Sequence, residues 1–189
     1  DKIYVRLGVA GVIFEPDATF RVQDQKLPGA QIGLSSNVTL SGEAGYYVSL
    51  SISFSMTGGV PPKTHATGEG SIASQGLLGS VRYGTIVALA DYHFNKTGRL
   101  QPWFGAGPAF LLVLSNNGAA IQNLRVSNRW GAALQVGTSY MLSAHWGLFA
   151  SATQSFVGSE GRGDLGPYSV DTKFALNPVA LQSGVELRF

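Results

Sequence analysis

The 189-residue chain has no cysteine, little charge and no long apolar run. Without cysteine it can form neither disulfides nor thiolate metal sites, which leaves its compartment open. No stretch reaches the roughly 18 apolar residues that a transmembrane helix needs. Charged residues make up 13% of the chain, and a formal net charge of +2 does not indicate a nucleic-acid partner. Asp1 looks like a mature terminus, because no basic and apolar leader precedes it.

The dominant pattern in the sequence is an alternation of apolar and polar residues. In the last segment the apolar residues of one parity are Leu181, Val185, Leu187 and Phe189, and the polar residues of the other are Gln182, Glu186 and Arg188. No helical pattern offers a layer to cover the apolar face, so we expect lipid to cover it. The closing aromatic also resembles the assembly signal of bacterial outer-membrane proteins. The sequence therefore predicts an all-β fold, an eight-stranded antiparallel transmembrane β-barrel.

The eight strands are predicted within a single domain, residues 1–189, with alternating short and long connections. The predicted strands are 3–14, two within 37–60 that are divided near Val48–Ser51, then 80–94, 100–114, 127–141, 145–157 and a last one that begins between Ser169 and Phe174. The short turns lie near Val48–Ser51, at Asn95–Arg99 and at Leu142–Ala144. The long connections are expected to be loops, at Glu15–Ser36, from Pro61 to Gly79, around Asn116–Gly118 and at Gly158–Gly166. Short turns and both termini are expected on the periplasmic side, and the long loops outside the cell.

Charged residues fall on the parity that should face the lumen near the short-turn end. They are Arg6, Glu43, Asp91, His93, Glu186 and Arg188. An isolated ion in a narrow lumen costs several kcal/mol, so these groups should pair with one another. We expect a polar plug at the periplasmic end. It would divert an apolar solute through the wall, or it is a stabilising ion network with no role in transport.

Two motifs give the chain a resemblance to a known family. They are Gln101-Pro102-Trp103-Phe104-Gly105-Ala106-Gly107 and Trp130-Gly131-Ala132-Ala133 followed by Gln135-Val136-Gly137. Both resemble the OmpW family of small outer-membrane barrels, and the resemblance extends from about Asn37 onward. It implies a channel that passes small hydrophobic molecules inward and releases them sideways into the bilayer. Thr85-Ile86, where relatives often carry prolines, and Ala152-Thr153-Gln154 depart from the family pattern.

Two further groups of residues are candidates for the path of a solute. The lumen entrance is predicted at Val12, Phe14, Thr57, Val87 and Thr153, and a lateral opening at Val60, Pro61 and Pro62. Proline lacks the amide proton that a neighbouring strand needs, so the ladder should open there. The alternatives are that the first group merely fills the tapering barrel and that the prolines only end a strand.

An enzyme is not expected, because the histidines are scattered. His65 falls in a loop, His93 in the plugged end and His145 beside a turn, which is no arrangement for acyl transfer or for a metal. We expect no catalytic residue, cofactor or metal. The expected partners are the lipid bilayer, lipopolysaccharide, and small hydrophobic solutes or detergent in the lumen. The alternative to a passive channel is a non-transporting barrel whose extracellular loops act as adhesin or receptor.

Overall fold

The computed structural model describes all residues except 1, 14–16, 23–24, 27–29, 35–36, 62, 71–72, 96, 119–121, 127–128, 166–167 and 176. Strands dominate the described residues, with one short 3-10 turn at Ala73–Gln75. The strands are β1 (Ile3–Ile13), β2 (Asp17–Val22), β3 (Gln25–Lys26), β4 (Ala30–Leu34), β5 (Asn37–Tyr47), β6 (Ile52–Gly59), β7 (Lys63–Gly70), β8 (Leu77–His93), β9 (Leu100–Gly118), β10 (Gln122–Val126), β11 (Arg129–Met141), β12 (Trp146–Phe156), β13 (Gly158–Leu165), β14 (Tyr168–Ala175) and β15 (Val179–Arg188). In the described part of the chain no helix is long and apolar enough to cross a membrane.

Eight of these strands form a closed antiparallel barrel, as the sequence predicts. Their order around the barrel is β8-β6-β5-β1-β15-β12-β11-β9, and pairing of β9 with β8 closes the ring. The first and last strands are neighbours: Ile3 and Phe189 exchange backbone hydrogen bonds of 3.1 and 2.9 Å. Closure matters because lipid offers no hydrogen bonds to an open sheet edge.

Inner and outer faces of the barrel follow the predicted parity. On β1, Leu7 is 56% exposed while Arg6 is fully buried, and β6 alternates in the same way. Exposed aromatic rings stand at both ends of the barrel, with Tyr140 at one end of β11 and Trp130 at the other. Ten residues at about 3.4 Å each, tilted by about 40°, give roughly 26 Å between these two rings. This height matches the hydrocarbon layer of an outer membrane.

Short turns and long connections lie at opposite ends of the barrel. The turns at 48–51, 94–99 and 142–145 share one end with both termini, which we call the short-turn end. The three predicted turns, including the split near Val48–Ser51, are confirmed. The opposite end, where all four longer segments emerge, is called the long-connection end below.

The long connections contain strands of their own, which the sequence does not indicate. Strands β4 and β7 extend the barrel sheet at the long-connection end, and a second sheet has the order β10-β13-β14-β2-β3. The predicted loops at Glu15–Ser36 and Gly158–Gly166 therefore contain strands, and Asn116–Gly118 pair with Gly79–Val81 of β8. Backbone hydrogen bonds need no apolar side chains, so beyond the membrane strands continue without the apolar alternation that marks them in sequence.

The predicted start of the last barrel strand was wrong. β15 begins at Val179, and residues 168–175 form β14 of the second sheet. Between them Asn177 has a positive φ of 31° and Pro178 follows it. An Asn-Pro pair is a turn signal, and here it separates two strands that alternation alone had merged.

Candidate functional site

A network of ion pairs crosses the lumen in its short-turn half. Arg6 donates from Nε to Glu186 Oε2 at 2.7 Å and from Nη1 to Glu43 Oε1. Glu186 also accepts hydrogen bonds from Arg188 Nε at 2.7 Å and from the Ser139 hydroxyl. Arg6 and Glu186 are both fully buried. Since every carboxylate here faces a guanidinium, the desolvation cost of each charge is offset by its partners.

Neutral side chains from other strands complete this network. Glu43 Oε2 accepts from the Thr57 hydroxyl at 2.9 Å and from Gln135 Nε2 at 3.1 Å. Gln135 in turn accepts a hydrogen bond from Trp103 Nε1 at 3.2 Å and donates one to Thr153 Oγ1 at 3.1 Å. The network therefore reaches from β1 to β5, β6, β9, β11, β12 and β15 and ties opposite walls of the barrel together. We call the set the lumen network: Arg6, Glu43, Thr57, Gln101, Trp103, Gln135, Ser139, Thr153, Glu186 and Arg188.

Two aromatic rings enclose the central guanidinium. The Cζ atom of Arg6 lies 3.6 Å from the Trp103 ring centre and 4.4 Å from that of Tyr4. Each ring lies directly over a glycine, Trp103 over Gly137 and Tyr4 over Gly45, where an added Cβ would collide with it. The bare glycines let the large rings lie flat against the wall, so that cation–π contacts add to the ion pairs.

A second polar group lies beside the network, toward the short-turn end. Ser53 Oγ lies 2.9 Å from His93 Nε2 and donates to Asp91 Oδ2 at 3.4 Å, while the Tyr4 hydroxyl donates to the same carboxylate at 3.1 Å. The Tyr47 ring lies 4.9 Å from the His93 ring and 5.8 Å from the Arg188 guanidinium. Tyr4 joins this group to the lumen network through its contact with Arg6.

The structure places all six predicted plug residues in the lumen. Arg6, Glu43, Glu186 and Arg188 share one set of ion pairs, while Asp91 and His93 belong to the neighbouring group around Ser53. Sequence reasoning named Thr57 and Thr153 only for the lumen entrance and missed the other neutral members, Gln101, Trp103, Gln135 and Ser139. Of these missed residues, Trp103 and Gln135 have the largest fully buried side chains. Both lie in the two quoted motifs and on the inward parity, so alternation alone could have indicated them.

A cavity lies on the other side of the lumen network, toward the long-connection end. It measures about 80 Å³, several times the roughly 10–15 Å³ that one water requires on the same measure. Its lining includes Val12, Tyr83, Val87, Ala180, Thr57 and Thr153. The Thr57 hydroxyl donates to Glu43, the Thr153 hydroxyl accepts from Gln135, and neighbouring Tyr83, Leu111 and Val157 form an apolar cluster. Because these hydroxyls are engaged in the network, the cavity offers a mainly apolar surface.

The barrel wall has a break next to this lumen cavity. Pairing between β6 and β8 ends at Thr57 opposite Val87, and pairing of β8 resumes with β7 at Lys63 opposite Arg82. Among the described residues, 83–86 of β8 pair only with β9. On the other side of the break, Gly58 and Gly59 pair with β5, and Val60 N donates to Leu40 O at 2.9 Å. We call this break the wall gap, residues 58–61 facing 83–86.

The remaining predicted residues are distributed around the cavity and the gap. Val12, Thr57, Val87 and Thr153 line the cavity, whereas Phe14 lies outside the described residues. Val60 lines it too and is 59% exposed, and a Cβ added to Gly84 would lie 3.2 Å from Pro61 Cγ. Pro62 lies outside the described residues. Of the residues that the structure describes, no three His, Asp or Glu side chains are grouped to hold a metal ion.

A recess at the short-turn end lies beyond the network. It measures about 430 Å³ and is lined by Leu50, Ser51, Phe94, Ala144, His93 and Arg188 among others. The lumen network thus stands between two spaces, with Thr57 facing the cavity and Arg188 facing the recess. The cavity is therefore bounded by the buried ion pairs in one direction and by the wall gap in another.

Comparison with known proteins agrees with this geometry. The sequence model of the OmpW family matches residues 1–189. The chain belongs to the OmpW family. Among OmpW relatives, outer membrane protein AlkL of Ectopseudomonas oleovorans is 31% identical over 86% of this chain and 71% of its own length. Outer membrane protein W of Vibrio cholerae is 26% identical over 92% of this chain and 82% of its own length.

Solved structures support the same OmpW assignment. The solid-state NMR structure of AlkL in DMPC lipid bilayers has a TM-score of 0.79 at 28% identity, covering 100% of this chain and 90% of that one. The crystal structure of OprG from Pseudomonas aeruginosa shares the fold with a TM-score of 0.92 at 16% identity, over 100% and 95% of the two chains. This OmpW chain is a bacterial outer-membrane β-barrel.

Proposed function

We propose that this protein is a passive channel through which small hydrophobic molecules cross the outer membrane and leave sideways into the bilayer. The observation that carries the proposal is the coincidence of the wall gap with the mainly apolar lumen cavity. A hydrophobic solute gains about 25 cal/mol per Å² of apolar surface removed from water. Both the cavity and the lipid beyond the gap provide that gain, so the path is downhill without an energy source.

The lumen network would oppose movement of the solute straight along the barrel axis. In this proposal it acts as a plug, because an apolar molecule cannot replace the hydrogen bonds of Arg6 and Glu186, and breaking a buried pair costs about 3–5 kcal/mol. At the gap, by contrast, no ladder hydrogen bond between β6 and β8 has to be broken. Val60 and Pro61 lie on one side of the proposed exit, and Val12, Thr57, Val87 and Thr153 line the proposed approach.

Orientation and partners belong to the same proposal. The short-turn end with both termini would face the periplasm, and the long connections would face outward into lipopolysaccharide. Another relative supports an apolar cargo: the dibenzothiophene metabolism operon protein PahQ of Pseudomonas aeruginosa is 24% identical over 97% of this chain and 87% of its own length. Dibenzothiophene is a flat molecule with almost no polar surface. The proposal assigns no enzymatic activity to the barrel.

A reversible disulfide across the wall gap, called the gap staple, tests lateral release. Gly58 and Ile86 continue the register of Thr57 opposite Val87, and the chain has no cysteine of its own. We expect the oxidised variant Gly58→Cys/Ile86→Cys to lose uptake of a radiolabelled medium-chain hydrocarbon by intact cells. Reduction of the same cells should restore uptake, because only the staple is removed.

The matched control is Met56→Cys/Ala88→Cys, which joins two positions that are already paired. Its uptake should be the same before and after reduction. Equal uptake by the oxidised gap staple and this control would contradict lateral release. If cells with and without the protein take up a panel of apolar solutes equally, the channel is refuted in favour of a barrel whose outer surface binds a partner.

A further inference from the structure

The lining of the lumen cavity includes one buried carboxamide. Gln182 lies on the inward parity of β15, lines the cavity and is only 8% exposed. A carboxamide has one carbonyl acceptor and two N–H donors. The acceptor is in use, because Ser151 Oγ donates to Gln182 Oε1 at 3.4 Å. Among the described residues the Nε2 atom has no hydrogen-bond partner, so its donors are available to a molecule in the cavity.

Several hydroxyl groups of the same lining are engaged within the protein. Thr39 donates to Val60 O at 2.5 Å, and Ser41 donates to Gly8 O at 3.5 Å. The Thr57 hydroxyl donates to Glu43 in the lumen network. Gln182 differs from these residues because it retains donors for a ligand.

The wall gap presents further hydrogen-bonding groups beside the cavity. In an antiparallel strand, alternate residues direct their N–H and C=O groups toward opposite neighbours. Because residues 83–86 of β8 pair only with β9 in the described part of the chain, half of their peptide groups point toward the gap without a ladder partner. On the facing side, Val60 has its N bound to Leu40 O and its O bound to Thr39 Oγ1. The β8 side of the gap is therefore a polar edge next to a mainly apolar cavity.

A hydrocarbon and a solute with one oxygen differ in their effect on these groups. In the absence of a solute, water bonds them, since a cavity of about 80 Å³ has room for it. A hydrocarbon displaces that water and leaves the buried N–H donors unpaired, which lowers its affinity. A solute oxygen accepts from Gln182 Nε2 in place of the water, while the rest of the solute keeps the hydrophobic gain.

We propose that Gln182 is a specificity-determining residue, through which the channel favours apolar solutes with one hydrogen-bond-accepting oxygen over hydrocarbons of the same length. Medium-chain ketones and alcohols belong to this class. A second polar group on the solute would lie against apolar lining such as Val12 and Val87, where it would lose its hydrogen bonds to water. The inference rests on the proposed uptake function and names the class of solute that uptake favours.

Binding is tested with the purified full chain in DMPC nanodiscs by NMR. The side-chain N–H resonances of Gln182 are identified by their absence from the spectrum of Gln182→Leu. We expect 2-decanone to shift these resonances until the site is saturated, because its carbonyl accepts from Nε2. Decane at the same concentration in the bilayer should leave them in place. Equal shifts with both solutes, or no shift with 2-decanone, would contradict the proposed hydrogen bond.

Selectivity is tested by uptake into intact cells. The measured quantity is the ratio of labelled 2-decanone uptake to labelled decane uptake, each corrected for cells without the protein. Gln182→Leu removes one hydrogen bond from the bound ketone and should lower this ratio about three- to tenfold. The matched control is Gln154→Leu, because the Gln154 carboxamide donates to the backbone carbonyls of Ser155 and Asn177 and does not belong to the described cavity lining. Its ratio should change less than about twofold.

The outcomes separate this inference from the proposed channel. A ratio that is unchanged in Gln182→Leu, or that falls equally in the control, would overturn the role of Gln182 while protein-dependent uptake still stands. Equal uptake of both solutes with and without the protein would refute the channel, whereas the nanodisc spectra would still decide whether Gln182 binds the ketone. Unheated gel mobility shows whether each variant is folded, so a failed fold is not mistaken for lost selectivity.

Discussion

The guanidinium of Arg6 lies 3.6 Å from the Trp103 ring centre while its Nε and Nη1 groups bond Glu186 and Glu43. A single buried cation therefore connects β1 to β5, β9 and β15 across the lumen. Within the described residues its Nη2 has no hydrogen-bond partner. The ring faces of Trp103 and Tyr4 lie against the guanidinium and supply part of the interaction that stabilises its charge.

Arg6 and Glu186 should be energetically coupled. Removing either partner leaves an uncompensated buried charge, whereas removing both leaves fewer such charges, so the double variant should cost less than the two singles together. We expect a coupling free energy of about 1–3 kcal/mol for Arg6→Ala and Glu186→Ala, measured from urea unfolding in lipid vesicles. Additive costs would show that the pair does not act as one unit.

A side chain at position 137 should displace the Trp103 ring. Gly137→Val places atoms where the ring lies, and we expect the free energy of unfolding to fall by about 1–3 kcal/mol. The same change should shift the tryptophan fluorescence, because Trp103 loses its dry, hydrogen-bonded position. Gly11→Ala is the control, since nothing lies within 4 Å of its added Cβ. A Gly137→Val protein as stable as this control would refute the close packing of the ring.

An arginine substitution on the lipid-facing side should lower the free energy of unfolding strongly in the middle of the barrel wall and only slightly at its ends. Val136 lies between the rings of Tyr140 and Trp130 and is 53% exposed. Val136→Arg should therefore cost about 2–4 kcal/mol. Leu50, by contrast, lies in the turn at 48–51, just before Ile52 begins β6 at the short-turn end. Leu50→Arg should cost about 0–1 kcal/mol, and equal costs would contradict the membrane placement.

Filling the lumen cavity should reduce transport without weakening the barrel. Ala180→Leu places three additional carbons in the cavity, and we expect slower uptake of labelled hydrocarbon with stability unchanged or slightly increased. Ala152→Leu is the control, because Ala152 is adjacent on β12 but belongs to the outer wall, opposite Leu181. Unchanged uptake with a folded Ala180→Leu protein would exclude this cavity from the solute path.

The lipid-spanning part of the fold was open to prediction from sequence because one physical rule governs it. Every strand there has lipid on one side and a filled lumen on the other, so outward Leu7 and inward Arg6 are distinguishable by parity alone. The same parity indicated all six charged lumen residues. It could not indicate that Asp91 and His93 join Ser53 rather than the Arg6 ion pairs, because that choice depends on strand register and barrel tilt.

Beyond the membrane the sequence determined much less. There both faces of a strand can be polar, and the apolar alternation that marks β6 is absent from segments such as Gly158–Leu165. The sequence by itself determined a barrel, its number of strands, its short turns and which residues face inward, since lipid enforces a period of two. Only the tertiary structure decided the second sheet, the wall gap beside the cavity and the seating of Trp103 on Gly137. Each of these depends on which strands become neighbours, and closure of the ring, not local pattern, sets that.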